Sequence, residues 1–155
     1  MKISKGASEK SSARLKVTVG SIARIPVPTV NRSEPVSEIV SLMVNCNVGA
    51  VIVVRDTEPL GIVTEHDLVR RVIYTEKDAR EIVAQEIMTA PLITISHDRT
   101  IEEALEIMQN NRVRRLVVLK GESMIGLLTE RRLLRAKYPY GPKRNLGVSR
   151  NPRVS

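Results

Sequence analysis

The sequence predicts a mixed α/β fold in which one β-α-β-β-α unit occurs twice and the two units pack together. Three observations support this prediction. Shifted by 65 residues, the chain aligns with itself without a gap, so that residues 19–71 match residues 84–136. Each half contains continuous β-branched runs, which suit strands buried on both faces. Each half also contains a segment whose apolar side chains recur at helical spacing.

The elements of each copy follow the same order. A proline-marked loop leads to a short extended piece, and an amphipathic helix follows. Pro35 suits the first turn of this helix in copy one, whereas Asp98 or Thr100 suits its start in copy two. Two strands and a second helix complete the unit. We expect strands at 28–30, 50–54 and 60–63 and again at 92–95, 116–119 and 125–128, with the last helices beginning at Thr64 and Thr129.

Composition excludes several classes of function. The 155 residues are 42% hydrophobic but include no Phe or Trp and only three Tyr, which counts against a platform that stacks single-stranded bases. No apolar run approaches a membrane span, and the first residues lack the apolar centre of a secretory signal, so we expect a cytoplasmic protein without membrane contact. Cys46, His66 and His97 lack metal-ligand spacing. With no nucleophile–base pair and no phosphate-binding glycine motif, we expect neither catalysis nor a metal.

The basic excess lies at the two ends of the chain. Residues 1–16 carry a net charge of +4 and residues 135–155 carry +6, so the total of +8 leaves −2 for residues 17–134. We expect residues 1–16 and 138–155 to be flexible arms, with copy one at 17–75 and copy two at 76–137. The arms are either solvated tails or an electrostatic grip on nucleic acid or another acidic partner.

One phrase of the sequence occurs twice with a charge reversal. Copy one reads GIVTEHDLVRR from Gly61, and copy two reads GLLTERRLLRA from Gly126. Thr64 and Asp67 have the spacing of a capping box, in which each side chain hydrogen-bonds a backbone amide of the first helical turn. The same carboxylate could instead accept from the two hydroxyls of a ribose, beside a helix N-terminus that favours phosphate. The residues alone leave both interpretations open.

The repeated phrase, together with VGAVIVV in copy one and VRRLVVL in copy two, resembles a tandem pair of CBS domains, often called a Bateman module. The resemblance covers about residues 17–137 and implies a module that binds adenosine-containing ligands in clefts between its copies and often dimerises. It implies that Thr64 and Asp67 contact the sugar and that His66 faces phosphate, although an exposed first-turn histidine is an equal alternative. The base and sugar pocket implied for copy one is lined by Val27, Thr29, Val30, Gly49, Ala50 and Val51.

Copy two departs from this pattern. Arg132 stands where copy one has Asp67, and a guanidinium cannot accept hydrogen bonds from a ribose. Either copy two is scaffold with a solvated arginine face, or its arginines reach the phosphates of a ligand anchored by Asp67. The arginines expected to face phosphate are Arg114, Arg115, Arg131 and Arg132. An equivalent second site would hold Thr94 and Thr129, but we expect one main ribose site, in copy one.

These inferences predict a non-catalytic sensor of AMP, ADP or ATP, in the form of a homodimer acting on an unidentified target protein. S-adenosylmethionine is an alternative ligand because it shares the ribose and adenine. Two other functions remain open at this point. The basic arms could make the protein a nucleic-acid-binding regulator, or the module could be a scaffold whose sites are vestigial.

Overall fold

The computed structural model describes residues 16–141, so the greater part of both predicted arms, residues 1–15 and 142–155, lies outside the described residues. The predicted β-α-β-β-α order is present twice, and a short helix precedes the first strand of each copy. Copy one comprises α1 (Val19–Ile22), β1 (Thr29–Asn31), α2 (Val36–Cys46), β2 (Ala50–Arg55), β3 (Glu58–Thr64) and α3 (Glu65–Leu68), which continues as a π-helical segment (Val69–Ile73). Copy two comprises α4 (Ala84–Ile87), β4 (Thr94–Ser96), α5 (Ile101–Asn111), β5 (Arg115–Lys120), β6 (Ser123–Thr129) and α6 (Glu130–Lys137).

Each copy forms its own three-stranded sheet with the same topology. The first strand runs parallel to the second, which pairs antiparallel with the third. The pairing registers are also equivalent: Thr29 lies opposite Ile52, and 65 residues later Thr94 lies opposite Val117. The mixed α/β fold class predicted from the sequence is therefore confirmed.

The middle strands form the centre of the molecule because they are apolar on both faces. In β2 every residue from Ala50 to Val54 is buried. One face of β2 packs on the helices of its own copy, while Ile52 on the other face joins a cluster that includes Val117 and Leu127 of copy two. The two sheets therefore share a core, as expected for two units that cannot bury both faces alone.

The short first helix of each copy packs against the core of the other copy. Val19 of α1 packs in the hydrophobic core of copy two, and Ala84 and Ile87 of α4 pack in the core of copy one. The proline-marked sequence of these segments predicts loops, so the two helices are a difference from the prediction. Because each copy's core includes the entry segment of the other, the two copies interlock.

The segments that follow α1 and α4 cross the third strand of the opposite copy. Thr89 pairs with Ile62 of β3, and Arg24 pairs with Leu127 of β6 in the equivalent position. The crossings are close: a Cβ at Gly61 would lie 2.8 Å from the Thr89 carbonyl oxygen, and a Cβ at Gly126 would lie 2.7 Å from Ala23 Cβ. This contact explains why the repeated phrase begins with glycine. Among the described helices, none is both long and apolar enough to span a membrane.

Candidate ligand-binding cleft

A cleft of about 520 Å³ lies between the two copies. Copy one contributes the end of β3 and the first turn of α3, while copy two contributes the segment before β4 and the turn that joins α5 to β5. The cleft therefore exists only because the copies interlock. It is lined by Ile62, Thr64, His66, Asp67, Thr89, Pro91, Leu92, Ile93, Arg112, Val113, Arg114, Arg115, Leu116, Val117 and Leu127.

The first turn of α3 forms the capping box that the sequence allowed. The Thr64 hydroxyl oxygen accepts from the Asp67 N–H at 3.3 Å, and Asp67 Oδ2 accepts from the Thr64 N–H at 2.8 Å. The same carboxylate oxygen accepts from the Thr64 hydroxyl at 2.9 Å. This arrangement satisfies amides that a helix start leaves without partners. The capping interpretation is therefore true of the structure, and Asp67 also lines the cleft.

Asp67 also joins the two copies. Its residue is only 6% exposed, yet Oδ1 accepts from the Thr89 hydroxyl of the crossing segment at 3.1 Å and lies 3.8 Å from Arg71 Nε. Arg71 Nη1 in turn donates to the carbonyl oxygens of Ile87 and Met88, at 2.7 and 2.8 Å. A buried carboxylate is stable only when its oxygens are hydrogen-bonded or paired with a cation. Here one partner is the Thr89 hydroxyl, and a ligand hydroxyl could take its place as the donor to Oδ1.

Arginines of copy two face this carboxylate across the cleft. Arg115 is half-buried, and this burial lowers the pKa of its guanidinium, while the negative charges of Glu65 and Asp67 oppose that shift. Arg114 Nε lies 3.9 Å from Glu130 Oε2, with most of its side chain exposed. An arginine remains charged under such conditions. The cleft thus has an acidic end on copy one and a basic wall on copy two.

Between these charged groups the lining is aliphatic. Ile62 comes from copy one, and the other apolar side chains come from β5, β6 and the segment around Pro91. A flat apolar ring would fit between such side chains, and ligand pockets commonly combine an apolar lining with a few fixed polar groups. The apolar residues are Ile62, Pro91, Leu92, Ile93, Val113, Leu116, Val117 and Leu127.

The structure brings together five of the predicted site residues. Thr64, His66 and Asp67 of copy one lie in one cleft with Arg114 and Arg115 of copy two. Arg112 of copy two also lines this cleft, as does Thr89, which the sequence did not predict. Thr89 could not be found from composition, because its role depends on the crossing of the two copies.

The residues expected to form the base pocket in copy one do not line this cleft. They are Val27, Thr29, Val30, Gly49, Ala50 and Val51. The 65-residue repeat relates four of them to residues of copy two that do line the cleft. These counterparts are Leu92, Arg114, Arg115 and Leu116. The first turn of α3 thus shares its cleft mainly with residues of the other copy. Gly49 lies beside the cleft, where its carbonyl oxygen accepts from the Glu65 N–H at 3.2 Å.

The remaining predicted residues lie elsewhere. Arg132 Nε donates to the Ile22 carbonyl oxygen at 2.8 Å, and Arg131 borders a groove on the surface of α6. Thr129 caps α6, since its hydroxyl accepts from the Arg132 N–H at 3.3 Å, and Thr94 lies in a shallow groove between β4 and α5. The structure does not bring Thr94 and Thr129 into a common cleft of those described. Whether any of the predicted residues contacts a ligand stays a prediction.

Comparison with known proteins shows the family. The CBS domain matches residues 19–74 and again residues 83–138. The chain belongs to the CBS-domain family. The expected tandem CBS arrangement is thereby confirmed, and a CBS pair is typical of a regulatory module that commonly binds a ligand.

Several solved and curated proteins resemble this CBS pair. A CBS-domain protein of Burkholderia ambifaria, described as a putative signal-transduction protein, superposes with a TM-score of 0.76 at 29% identity, over 81% of this chain and 97% of that one. A CBS-CP12 protein from bloom-forming cyanobacteria, described as hexameric, gives a TM-score of 0.75 at 26% identity, over 86% of this chain and 80% of that one.

Among curated proteins, an uncharacterized protein of Methanopyrus kandleri is 36% identical over 126 residues, which are 80% of this chain and 64% of the relative. A mitochondrial CBS domain-containing protein of Arabidopsis thaliana is 32% identical over 66% of this chain and 52% of its own length. The inosine-5'-monophosphate dehydrogenase of Methanocaldococcus jannaschii is 32% identical over 78% of this chain, but only 24% of that enzyme is matched. The chain thus spans less than two thirds of the length of these curated relatives.

Proposed function

We propose that this CBS pair is a non-catalytic regulatory module that binds an adenosine nucleotide, AMP, ADP or ATP, in the cleft between its copies. Thr64 and Asp67 hold the ribose, the aliphatic lining holds the adenine, and the arginines of copy two bind phosphate. His66 lies on the same first turn and adds a further donor towards phosphate.

The observation that carries this proposal is the opposition of Asp67 to the arginines across an apolar cleft. A ribose is a donor of two neighbouring hydroxyl hydrogens and requires an acceptor pair, whereas a phosphate requires cations or donors. A nucleotide carries both groups, separated by an apolar base and sugar. S-adenosylmethionine fits less well, since it carries a sulfonium cation and no phosphate to place against the arginines.

Ligand binding would change the tie between the two copies. Asp67 Oδ1 accepts from Thr89, which lies on the segment that enters copy two, so a ribose hydroxyl would compete with Thr89 for this oxygen. Released from the carboxylate, the crossing segment could adopt a second position. A ligand shifts such an equilibrium by its differential affinity for the two states, and a few kcal/mol suffice.

We further propose that the module acts as a homodimer through the last helices of its copies. Val69 and Ile73 are exposed apolar residues, and Leu134 and Tyr138 are exposed at the equivalent positions of copy two. Because both copies present the same two positions, a second molecule related by symmetry would match them. Sedimentation should show a dimer, and Ile73→Glu should yield monomers whereas Lys120→Glu, at the end of β5, should not. A monomeric wild-type protein would contradict this proposal.

Calorimetric titration and thermal unfolding with AMP, ADP, ATP and S-adenosylmethionine test nucleotide binding. A nucleotide at a hundred times its Kd should raise the free energy of unfolding by roughly 2.7 kcal/mol. Asp67→Asn, which preserves the shape of the side chain but replaces an acceptor by a donor, should abolish the effect. Asp56→Asn, in the turn between β2 and β3, is the matched control and should leave binding unchanged. Stabilisation of Asp67→Asn equal to that of wild type would place the site elsewhere.

A further inference from the structure

Arg112 adopts a backbone conformation that its residue type disfavours. It ends α5 in the left-handed region, with φ 53° and ψ 39°. At the equivalent place in copy one, α2 ends at Asn47 with φ 50° and ψ 54°. Asparagine and aspartate are enriched in this conformation, whereas arginine rarely adopts it. Copy two therefore has an arginine where the backbone favours asparagine.

Arg112 also differs from the other two arginines of the cleft in its partners. Arg114 lies near Glu130, and the charge of Arg115 faces Glu65 and Asp67. Within residues 16–141, no carboxylate lies at ion-pair distance from Arg112. Arg112 lines the cleft, is exposed, and has no acidic partner among the described residues.

The three arginines of the cleft differ in how deeply they lie. Arg115 is half-buried and its charge interacts with that of Asp67, the proposed ribose acceptor, whereas Arg112 and Arg114 are exposed. Arg112 comes two residues before Arg114, at the end of α5. A ligand whose ribose contacts Asp67 would present its first phosphate to Arg115 and Arg114, and any further phosphate would lie towards Arg112. A planar guanidinium is well suited to bind phosphate oxygens in pairs.

We propose that Arg112 determines specificity in this cleft by binding the terminal phosphate of a nucleoside di- or triphosphate, so that the module prefers ADP and ATP over AMP. This assignment rests on the proposed function and adds to it the number of phosphates. A basic residue at a helix C-terminus also interacts favourably with the helix dipole, so the test has to separate that effect from ligand binding.

The test compares AMP, ADP and ATP on wild type, Arg112→Asn and Arg112→Lys by calorimetric titration. Arg112→Asn introduces the residue of copy one, which suits the backbone, so its Tm should equal or exceed that of wild type. Wild type should bind ADP or ATP at least about tenfold more tightly than AMP, a difference expected of one charge-assisted contact. Arg112→Asn should remove this preference while AMP affinity changes less than about twofold, and Arg112→Lys should restore part of it.

Asp56→Gly is the matched control for the effect of relieving a disfavoured backbone conformation, without any change in the cleft. Asp56 has φ 56°, and the equivalent residue of copy two is Gly121 with φ 62°, so the substitution again introduces the residue of the other copy, but outside the cleft. It should leave all three affinities unchanged. Equal affinity of wild type for AMP, ADP and ATP, or an equal loss for all three in Arg112→Asn, would overturn the assignment while leaving the proposed function intact. No binding of any of the three to wild type would overturn both.

Discussion

The two copies perform the same structural task at the start of their last helix with opposite chemistry. In copy one, Asp67 caps α3, and Arg71 one turn later holds the backbone of the entry segment through the Ile87 carbonyl oxygen. In copy two, Arg132 replaces the aspartate and itself donates to the Ile22 carbonyl oxygen, the equivalent atom of the other entry segment. At the position that corresponds to Arg71, copy two has Ala136.

The difference shows which part of the repeated phrase is structural and which part is free to vary. Each copy needs a cation to hold the entry segment, and it can come from either of two positions on the helix. Only copy one combines that cation with a carboxylate at the cleft, because in copy two the arginine occupies the place of the acid. The charge reversal thus preserves the tie between the copies and leaves one acidic end in the molecule's central cleft.

The largest effects should come from the glycines at the two crossings, where the copies are equivalent. Gly61→Ala and Gly126→Ala each place a Cβ within 2.8 Å of the crossing segment, near the Thr89 carbonyl oxygen or Ala23 Cβ. Neither neighbour can move without displacing backbone, so each variant should lose about 2–3 kcal/mol of unfolding free energy. Urea titration followed by circular dichroism measures the loss.

Gly121→Ala is the control for adding a methyl group to a glycine away from a crossing. A Cβ at Gly121 meets no atom within 4 Å, but its positive φ adds a smaller backbone cost. A loss at one crossing and none at the other would break the equivalence of the two copies.

The next largest loss of unfolding free energy should differ between the two copies. Asp67→Ala removes the acceptor of the Thr64 amide and of two hydroxyls in a buried place, so it should cost about 1–2 kcal/mol of unfolding free energy. Arg132→Ala removes one hydrogen bond made by an exposed side chain, which should cost less than about 1 kcal/mol. Thermal and urea unfolding of both variants measure the difference. Equal losses would mean that the carboxylate contributes no more than the arginine does.

Most of the fold follows from local patterns in the sequence. The continuous runs of β2 and β5 and the helical spacing of α5 predict elements that the structure contains, and the repeat register predicts the second copy from the first. The exchange of α1 and α4 between the copies could not be predicted, since four-residue helices carry little periodicity and the exchange depends on contacts between distant segments. The sequence did predict that Arg114 and Arg115 lie towards Asp67, and both line its cleft, whereas the apolar side chains that line this cleft beside them come largely from copy two, which depends on the same distant contacts.

The smallest effect concerns the first long helix of each copy and its response to acid. In copy two, Glu103 Oε2 accepts from the Thr100 N–H at 2.9 Å, and this bond, followed by the one from Arg99, lowers the pKa of Glu103 below its ordinary 4.5. A carboxyl whose pKa is lower in the folded state stabilises the fold above its unfolded pKa, and that contribution is lost as the pH falls through the folded value.

In copy one, Pro35 stands where copy two has Thr100 and offers neither a hydroxyl nor an N–H to Glu38. The paired hydrogen bonds at Thr100 are thus a feature of copy two. The Tm of wild type should therefore fall more steeply below pH 4.5 than that of Glu103→Gln, which has no carboxylate to protonate at this position. Differential scanning calorimetry across this range compares the two proteins. Equal slopes would mean that protonation of Glu103 does not act on stability through the hydrogen bonds from Thr100 and Arg99.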